Sequence, residues 1–273
     1  MNYTKSDIIA ALQTLASSDI TAIPSANAIT FDGNPSPVIH RTPTSLAESP
    51  SFFPNATSNM TVKIPNREDP QENPKKEKYP FIVSLEGNIG AGKSTIIDIL
   101  RQKYETEPEK YFGKLANAKI VFMQEPVDVW TSVCDSVTGE SILQKFYKDP
   151  KTYAFAFQVM VYNTHLEAFR KVVRENPDCV LLICERSIDA GRHIFTKMLC
   201  DDGMIDDVCY QVYKNLFDST ANEFSLDAVL YLDVAPEVCL ERIGVRAREG
   251  EGGIPLEYLQ RCHQYYEKWL SSI

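Results

Sequence analysis

The chain has 273 residues, 44% of them apolar, enough for one large or two small domains with a real core. A net charge of −9 opposes a polyanionic partner such as a nucleic acid, and no basic stripe longer than the Lys75–Lys78 cluster relieves it. Seven cysteines form no Cys-x-x-Cys pair and leave one over in any disulfide scheme; with no signal-type segment and no apolar run near the ~18 residues a membrane span needs, the expectation is a cytoplasmic protein with reduced thiols and no membrane or nucleic-acid partner.

Residues 1–79 are rich in Ser, Thr, Asn and Pro, with scattered single hydrophobes and no sustained period. This composition predicts a mostly disordered N-terminal segment, whose removal should leave the rest intact. Within it, residues 6–20 could form a short helix capped by Ser6 or Asp7, with Ile8, Leu12 and Leu15 on one face. Such a helix either docks a partner or is marginal and solvated. The segment is poor in Arg and carries Asp7, Asp19 and Asp32, unlike a mitochondrial leader.

From Tyr79 onward the texture changes to short apolar runs alternating with helical stretches. Residues 81–86, 119–125, 180–185 and 228–234 are apolar on both faces, as parallel strands covered by helices must be. Helices are predicted at about 93–104, 140–148, 151–175, 187–200, 206–220, 236–246 and 255–270. The class is α/β, three-layered, with a parallel sheet and helices on both faces. Ligands in such sheets lie at the carboxyl ends of the strands.

The first strand runs into Gly87-Asn88-Ile89-Gly90-Ala91-Gly92-Lys93-Ser94, followed by Thr95, a G-x-x-x-x-G-K-S loop that opens a helix. Glycines let backbone N–H groups curl around phosphates, the helix N-terminus adds positive potential, Lys93 reaches the outer phosphates and Ser94 can ligate Mg²⁺. The second strand delivers Glu125-Pro126, with Trp130 five residues after the Glu. Glu125 is either a general base for an attacking hydroxyl or a solvated loop acid before a turn. On the 151–175 helix most aromatics fit a core face, and Gln158 presents an amide that could read a nucleobase or simply be buried. The third strand ends in Glu185-Arg186-Ser187, an acid and a base suited to Mg²⁺ and a phosphoryl group, or else a capped helix start with an exposed ion pair. Arg242, Arg246 and Arg248 precede a glycine-rich loop, either a lid over phosphates or a solvated helix end.

Gly87–Ser94, Glu125-Pro126 with Trp130, the Phe146-Tyr147-Lys148-Asp149-Pro150 run, Phe157-Gln158, Glu185-Arg186-Ser187 and the stretch 246–259 occur in the order and spacing of one family. Over residues 80–271 the chain resembles the deoxynucleoside kinases, the group of deoxycytidine, deoxyguanosine, mitochondrial thymidine and insect deoxynucleoside kinases. The resemblance implies a P-loop kinase fold and a kinase domain over 80–273. It implies ATP phosphates held by Lys93 and the loop amides, with Mg²⁺ served by Ser94 and Glu185. Glu125 becomes the general base for the 5′-hydroxyl of a deoxynucleoside, and Arg186 positions that hydroxyl and steadies the moving phosphoryl group. Arg246 and Arg248 close from the lid, Gln158 reads the base between Phe195 and Phe157 beside Trp130, and Tyr147 and Glu251 bind the sugar 3′-hydroxyl. A homodimer through the helices of 140–175 and 187–220 is the family's usual assembly.

The chain departs from the pattern in having Gly250 before Glu251 where two acids are usual, and in stopping at Ile273, where relatives continue into a last parallel strand. Either it is truncated or its sheet has four strands. His165 and Gly191 stand where purine- and deoxycytidine-preferring members carry Arg and Asp. An uncharged pocket with room at Gly191 favours pyrimidines, thymidine included, while a protonated His165 beside Asp189 would partly restore a polar pair for an amino group. A nucleoside monophosphate kinase would need more cations on the acceptor side, and a non-catalytic nucleotide-binding protein would need only the loop.

Overall fold

The computed structural model describes residues 3–18, 20, 59–65, 79–220, 223–248 and 250–273. Helix α1 (Lys5–Ser17) leads to strand β1 (Asn59–Lys63) and then to β2 (Phe81–Gly87), α2 (Lys93–Thr106), α3 (Pro108–Phe112) and β3 (Ile120–Met123). There follow α4 (Val127–Ser132), α5 (Ile142–Lys148), α6 (Pro150–Glu175) and β4 (Leu181–Glu185). Next, α7 (Ile188–Ala190) passes through a π-helical turn at Gly191–Thr196 into α8 (Lys197–Asp201), before α9 (Asp207–Thr220), β5 (Ala228–Asp233), α10 (Pro236–Arg246) and α11 (Leu256–Leu270).

The five-stranded sheet has the order β1-β5-β2-β4-β3. Strands β2 to β5 are parallel, with Val83 opposite Ala228, Ile82 opposite Leu182 and Met123 opposite Cys184. Their side chains alternate between two cores, as the two-residue period of a strand requires. Val83, Leu85, Ile183 and Leu230 enter one core with Ile96, Ile97 and Leu100 of α2. Ile82, Leu182, Cys184 and Val229 enter the other with Leu166 and Phe169 of α6 and Tyr266 and Trp269 of α11. Helices on both faces are therefore why these four strands are mostly apolar on both faces.

The fifth strand is not a last parallel strand. It is β1, from the N-terminal segment, paired antiparallel with β5 from Asn59–Asp233 to Lys63–Val229. Met60 is its buried anchor. Helix α1 is packed too: Ile8, Ala11, Leu12 and Leu15 are buried in the same core as α2, with Leu12 and Leu15 fully covered. Its cap is Thr4, two residues before Ser6 and three before Asp7, the predicted cap sites, in a reciprocal capping box with Asp7. Lys114 reaches across to Asp7 at 2.8 Å, tying the helix to the turn after α3. Where residues 1–79 are described, then, they are part of the domain's core; the rest of the expected disordered segment lies outside the described residues.

Candidate active site

Three strand ends, of β2, β3 and β4, build the site. β2 runs into the glycine loop, which turns at Gly90 (φ 80°) and Gly92 (φ 98°) into α2. A Cβ at Gly90 would sit 2.4 Å from the Cys239 carbonyl oxygen of α10, so the close approach of that helix excludes a side chain as well as favouring the conformation. The Arg242 guanidinium donates to the Ala91 carbonyl (3.0 Å) and fixes α10 against the loop. Lys93 is buried, its Nζ donating to the carbonyls of Gly87 (3.2 Å) and Asn88 (2.9 Å). Burial first, and then repulsion from Arg186, push its ammonium down to about 8. Asn88 locks the loop from within: its amide donates to the Leu259 carbonyl (2.8 Å) and its oxygen accepts from Ile89 N–H (2.9 Å).

Glu125 follows β3 by two residues, and Glu185 and Arg186 end β4. Because these strands are neighbours, the three groups meet: Arg186 Nε lies 3.0 Å from Glu125 Oε1, both side chains largely buried. Burial alone would raise the Glu125 carboxyl, but the Arg186 charge, with Lys93 behind it, more than offsets this and holds it below the usual 4.5. Glu125 is thus an ionised acceptor. Glu185 shifts the other way, raised by burial and by the Glu125 charge. It accepts a 2.9 Å hydrogen bond from the Ser94 hydroxyl. This places two hard oxygen donors side by side at the mouth of the phosphate loop, the donor type Mg²⁺ uses. Among the described residues no cluster of three or more His, Cys, Asp or Glu could form an all-protein metal cage, and Mg²⁺ in kinase sites takes one or two protein ligands plus phosphates.

One cleft is lined by Ile89, Gly90, Lys93, Glu125, Glu185 and Arg186 on this side. Its far wall is Trp130, Phe157, Gln158 and Phe195, and its rim is Tyr147, Arg246, Arg248 and Glu251. Of the other residues named from the sequence, Ser94 joins through Glu185, while Gly87, Asn88, Ala91, Gly92 and Thr95 shape the loop and do not line the cleft. Phe157 stacks on Phe146 (4.7 Å between centroids) and meets Trp130 edge-on (5.6 Å). The Thr196 hydroxyl donates to Gln158 Oε1 (3.3 Å), holding the buried amide. Glu251 is buried at the rim between Arg246 and Arg248, its partners from α10 and the loop after it. Burial, then the Glu251 charge, lift the Tyr147 phenol well above the usual 10.

Two expectations about the base end need correction. His165 is 2% exposed and is not a cation, because burial lowers its pKa further than the Glu125 charge restores it. Its Nδ1 lies 2.9 Å from the Val161 carbonyl, and the backbone of Glu185 also approaches the buried ring. Gly191 does not leave open room: a Cβ there would come within 2.9 Å of the Tyr213 hydroxyl. Gly191 also begins the π-helical turn that carries Phe195 into the cleft, a distortion frequent at functional sites. Leu143, Phe146 and Tyr258 also line the cleft, and the sequence assigns none of them a site role because their spacing is that of ordinary core positions.

The match to known proteins covers this same region. Residues 83–273 match the model of the deoxynucleoside kinase family. The chain belongs to that family. It is 34% identical over 192 residues to a probable deoxycytidine kinase of fowlpox virus (strain NVSL), covering 69% of this chain and 71% of that protein. It is 33% identical over 199 residues to human deoxycytidine kinase, covering 69% and 74%. To the deoxyadenosine kinase of Dictyostelium discoideum it is 32% identical over 215 residues, covering 78% and 76%. The protein is a deoxynucleoside kinase, with its phosphate loop, acid–base pair and aromatic cleft inside the matched span.

Proposed function

We propose that this kinase transfers the γ-phosphoryl group of ATP to the 5′-hydroxyl of a deoxynucleoside, favouring pyrimidines, and yields the 5′-monophosphate and ADP. The observation that carries the reading is the Glu125–Arg186 pair, set between a phosphate loop and a neutral aromatic wall. The loop amides and Lys93 hold the triphosphate. Ser94 and Glu185 would hold Mg²⁺, which neutralises phosphate charge when bound. The carboxylate of Glu125 takes the proton of the 5′-hydroxyl as its oxygen bonds to the γ-phosphorus. The bond from that phosphorus to the β–γ bridging oxygen breaks, and ADP departs. Arg186 steadies the charge on the transferring group, joined from the rim by Arg246 and Arg248. Tyr147 and Glu251 hold the sugar.

The far wall supports an acceptor without a phosphate of its own, since Gln158, Trp130, Phe157 and Phe195 bring no cation to it. Gln158 pairs with the base edge through its amide, which both donates and accepts. A homodimer fits the exposed face of α9, where Val208 and Val212 stand one turn apart, and light scattering reads it directly. Purified protein with ATP, Mg²⁺ and each of the four deoxynucleosides tests the reaction. Monophosphate should form from both pyrimidines. Absence of product from all four overturns the activity, and a purine kcat/KM above both pyrimidines overturns the base preference alone.

A further inference from the structure

Arg186 is held in a way that one ion pair does not explain. Its backbone has φ 62°, a left-handed conformation that is costly for a residue with a side chain and persists only where surroundings enforce it. The amide donates to the Leu85 carbonyl (3.1 Å). Around the guanidinium, Nε pairs with Glu125, Nη1 donates to the Gly87 carbonyl (3.1 Å) and to the Tyr266 hydroxyl, and the plane lies over the Phe195 ring at 4.7 Å. Nη2 is the nitrogen that none of these contacts occupies.

The Tyr266 contact leads away from the reacting atoms to a carboxylate that the chemistry above does not use. Glu86 is completely buried in β2. Its Oε1 accepts from both the amide (2.8 Å) and the hydroxyl (2.7 Å) of Ser187, the residue after Arg186. Its Oε2 accepts from the Tyr266 hydroxyl (3.0 Å). A phenol has one proton to give, and with that proton on Glu86 its lone pairs face Arg186 Nη1. Glu86 thus grips the arginine twice, through the backbone at Ser187 and through the side-chain head by way of Tyr266. The Ser187 hydroxyl in turn accepts from Ala190 N–H (3.0 Å), so the same carboxylate sets the start of α7. Tyr266 comes from α11, 180 residues further along the chain, and has no exposed surface.

We infer that Tyr266, backed by Glu86, is a positioning residue for phosphoryl transfer: it fixes the rotation of the Arg186 guanidinium so that Nη2 is presented to the reacting oxygens while Nε stays on Glu125. The inference rests on the role proposed for Arg186. Hydrogen bonds to charged groups contribute about 1.5–3 kcal/mol each, so Tyr266→Phe should lower kcat roughly 10- to 100-fold. The nucleoside KM should move less than about threefold, because the group acts on the transferring phosphoryl and not on base or sugar.

The test is a double-mutant cycle between Tyr266→Phe and Arg186→Lys, with thermal unfolding of each protein. In the Arg186→Lys background the Phe variant should cost less than about twofold in kcat, since the group it positions is gone. Glu86→Gln, which keeps the shape and removes the charge, should show the same coupling and serves if the Phe variant does not fold. Equal kcat losses in both backgrounds would overturn the inference, as would parallel changes in KM and kcat or an undiminished kcat in the single Phe variant. If Arg186→Lys itself leaves kcat intact, the role of Arg186 fails first, and that outcome is distinct from additivity.

Discussion

Helix α1 makes a quantitative prediction that runs against its composition. Leu12 is fully buried and belongs to the core that also contains Ile96, Ile97 and Leu100 of the phosphate-loop helix. Leu12→Ala removes a side chain from a packed site, and such changes cost 2–5 kcal/mol, here about 3. In a protein of this size each kcal/mol moves Tm by roughly 2–4 °C, so a fall of about 6–12 °C is expected. Gln13→Ala, on the exposed face of the same helix, should stay within about 0.5 kcal/mol. Circular dichroism melts and urea unfolding of the three proteins in parallel give the comparison. Removing residues 1–18 goes further, because Ile8, Leu12 and Leu15 together represent about 4.5–9 kcal/mol of burial before the entropy of ordering the helix is subtracted. That is a large part of the 5–15 kcal/mol by which a domain is stable, so the truncated chain should be poorly folded. If Leu12→Ala melts with Gln13→Ala, α1 is not part of the core and this reasoning fails.

Glu125→Gln should lower kcat about 10²–10⁴-fold with little change in nucleoside affinity, and a variant with more than half the original rate would contradict a general-base role. Lys93→Ala should abolish turnover while the melting temperature shows a folded protein; calorimetry finding both ATP affinity and rate unchanged would count against the phosphate loop. The base form of Glu125 exists above its own pKa, which lies below the usual 4.5. The limb that Glu125 contributes to kcat/KM should therefore lie below that value. Glu185, whose carboxyl is raised, adds a limb above it, so the profile is compared with that of Glu185→Gln, in which a remaining limb centred at pH 6 or higher would show that Arg186 does not hold the Glu125 carboxyl down.

What could be read from the sequence is what depends on neighbours in the chain or on the period of a strand. Four parallel strands are legible because layers on both sides leave no polar face, and the phosphate loop is legible because its glycines, lysine and serine act within eight consecutive residues. Glu125, Glu185 and Arg186 follow from one topological rule, that parallel strands present their carboxyl ends to the ligand. The contributions of α1 and β1 depend instead on partners far away. An isolated 13-residue helix is marginal in water, and its contacts with β1, α3 and the turn after α3 are what make Leu12 core. β1 has five residues in an Asn- and Thr-rich setting, and its register exists only against β5, 166 or more residues later. The same reasoning explains His165, whose type suggested a switchable cation until burial lowered its pKa. It also explains Glu86 and Tyr266. One sits unremarked inside the strand before the phosphate loop, the other among the aromatics of an amphipathic helix, and nothing in either pattern brings them together. The strand ends bring Glu125, Glu185 and Arg186 to one place, and Tyr266 of α11 meets Arg186 there.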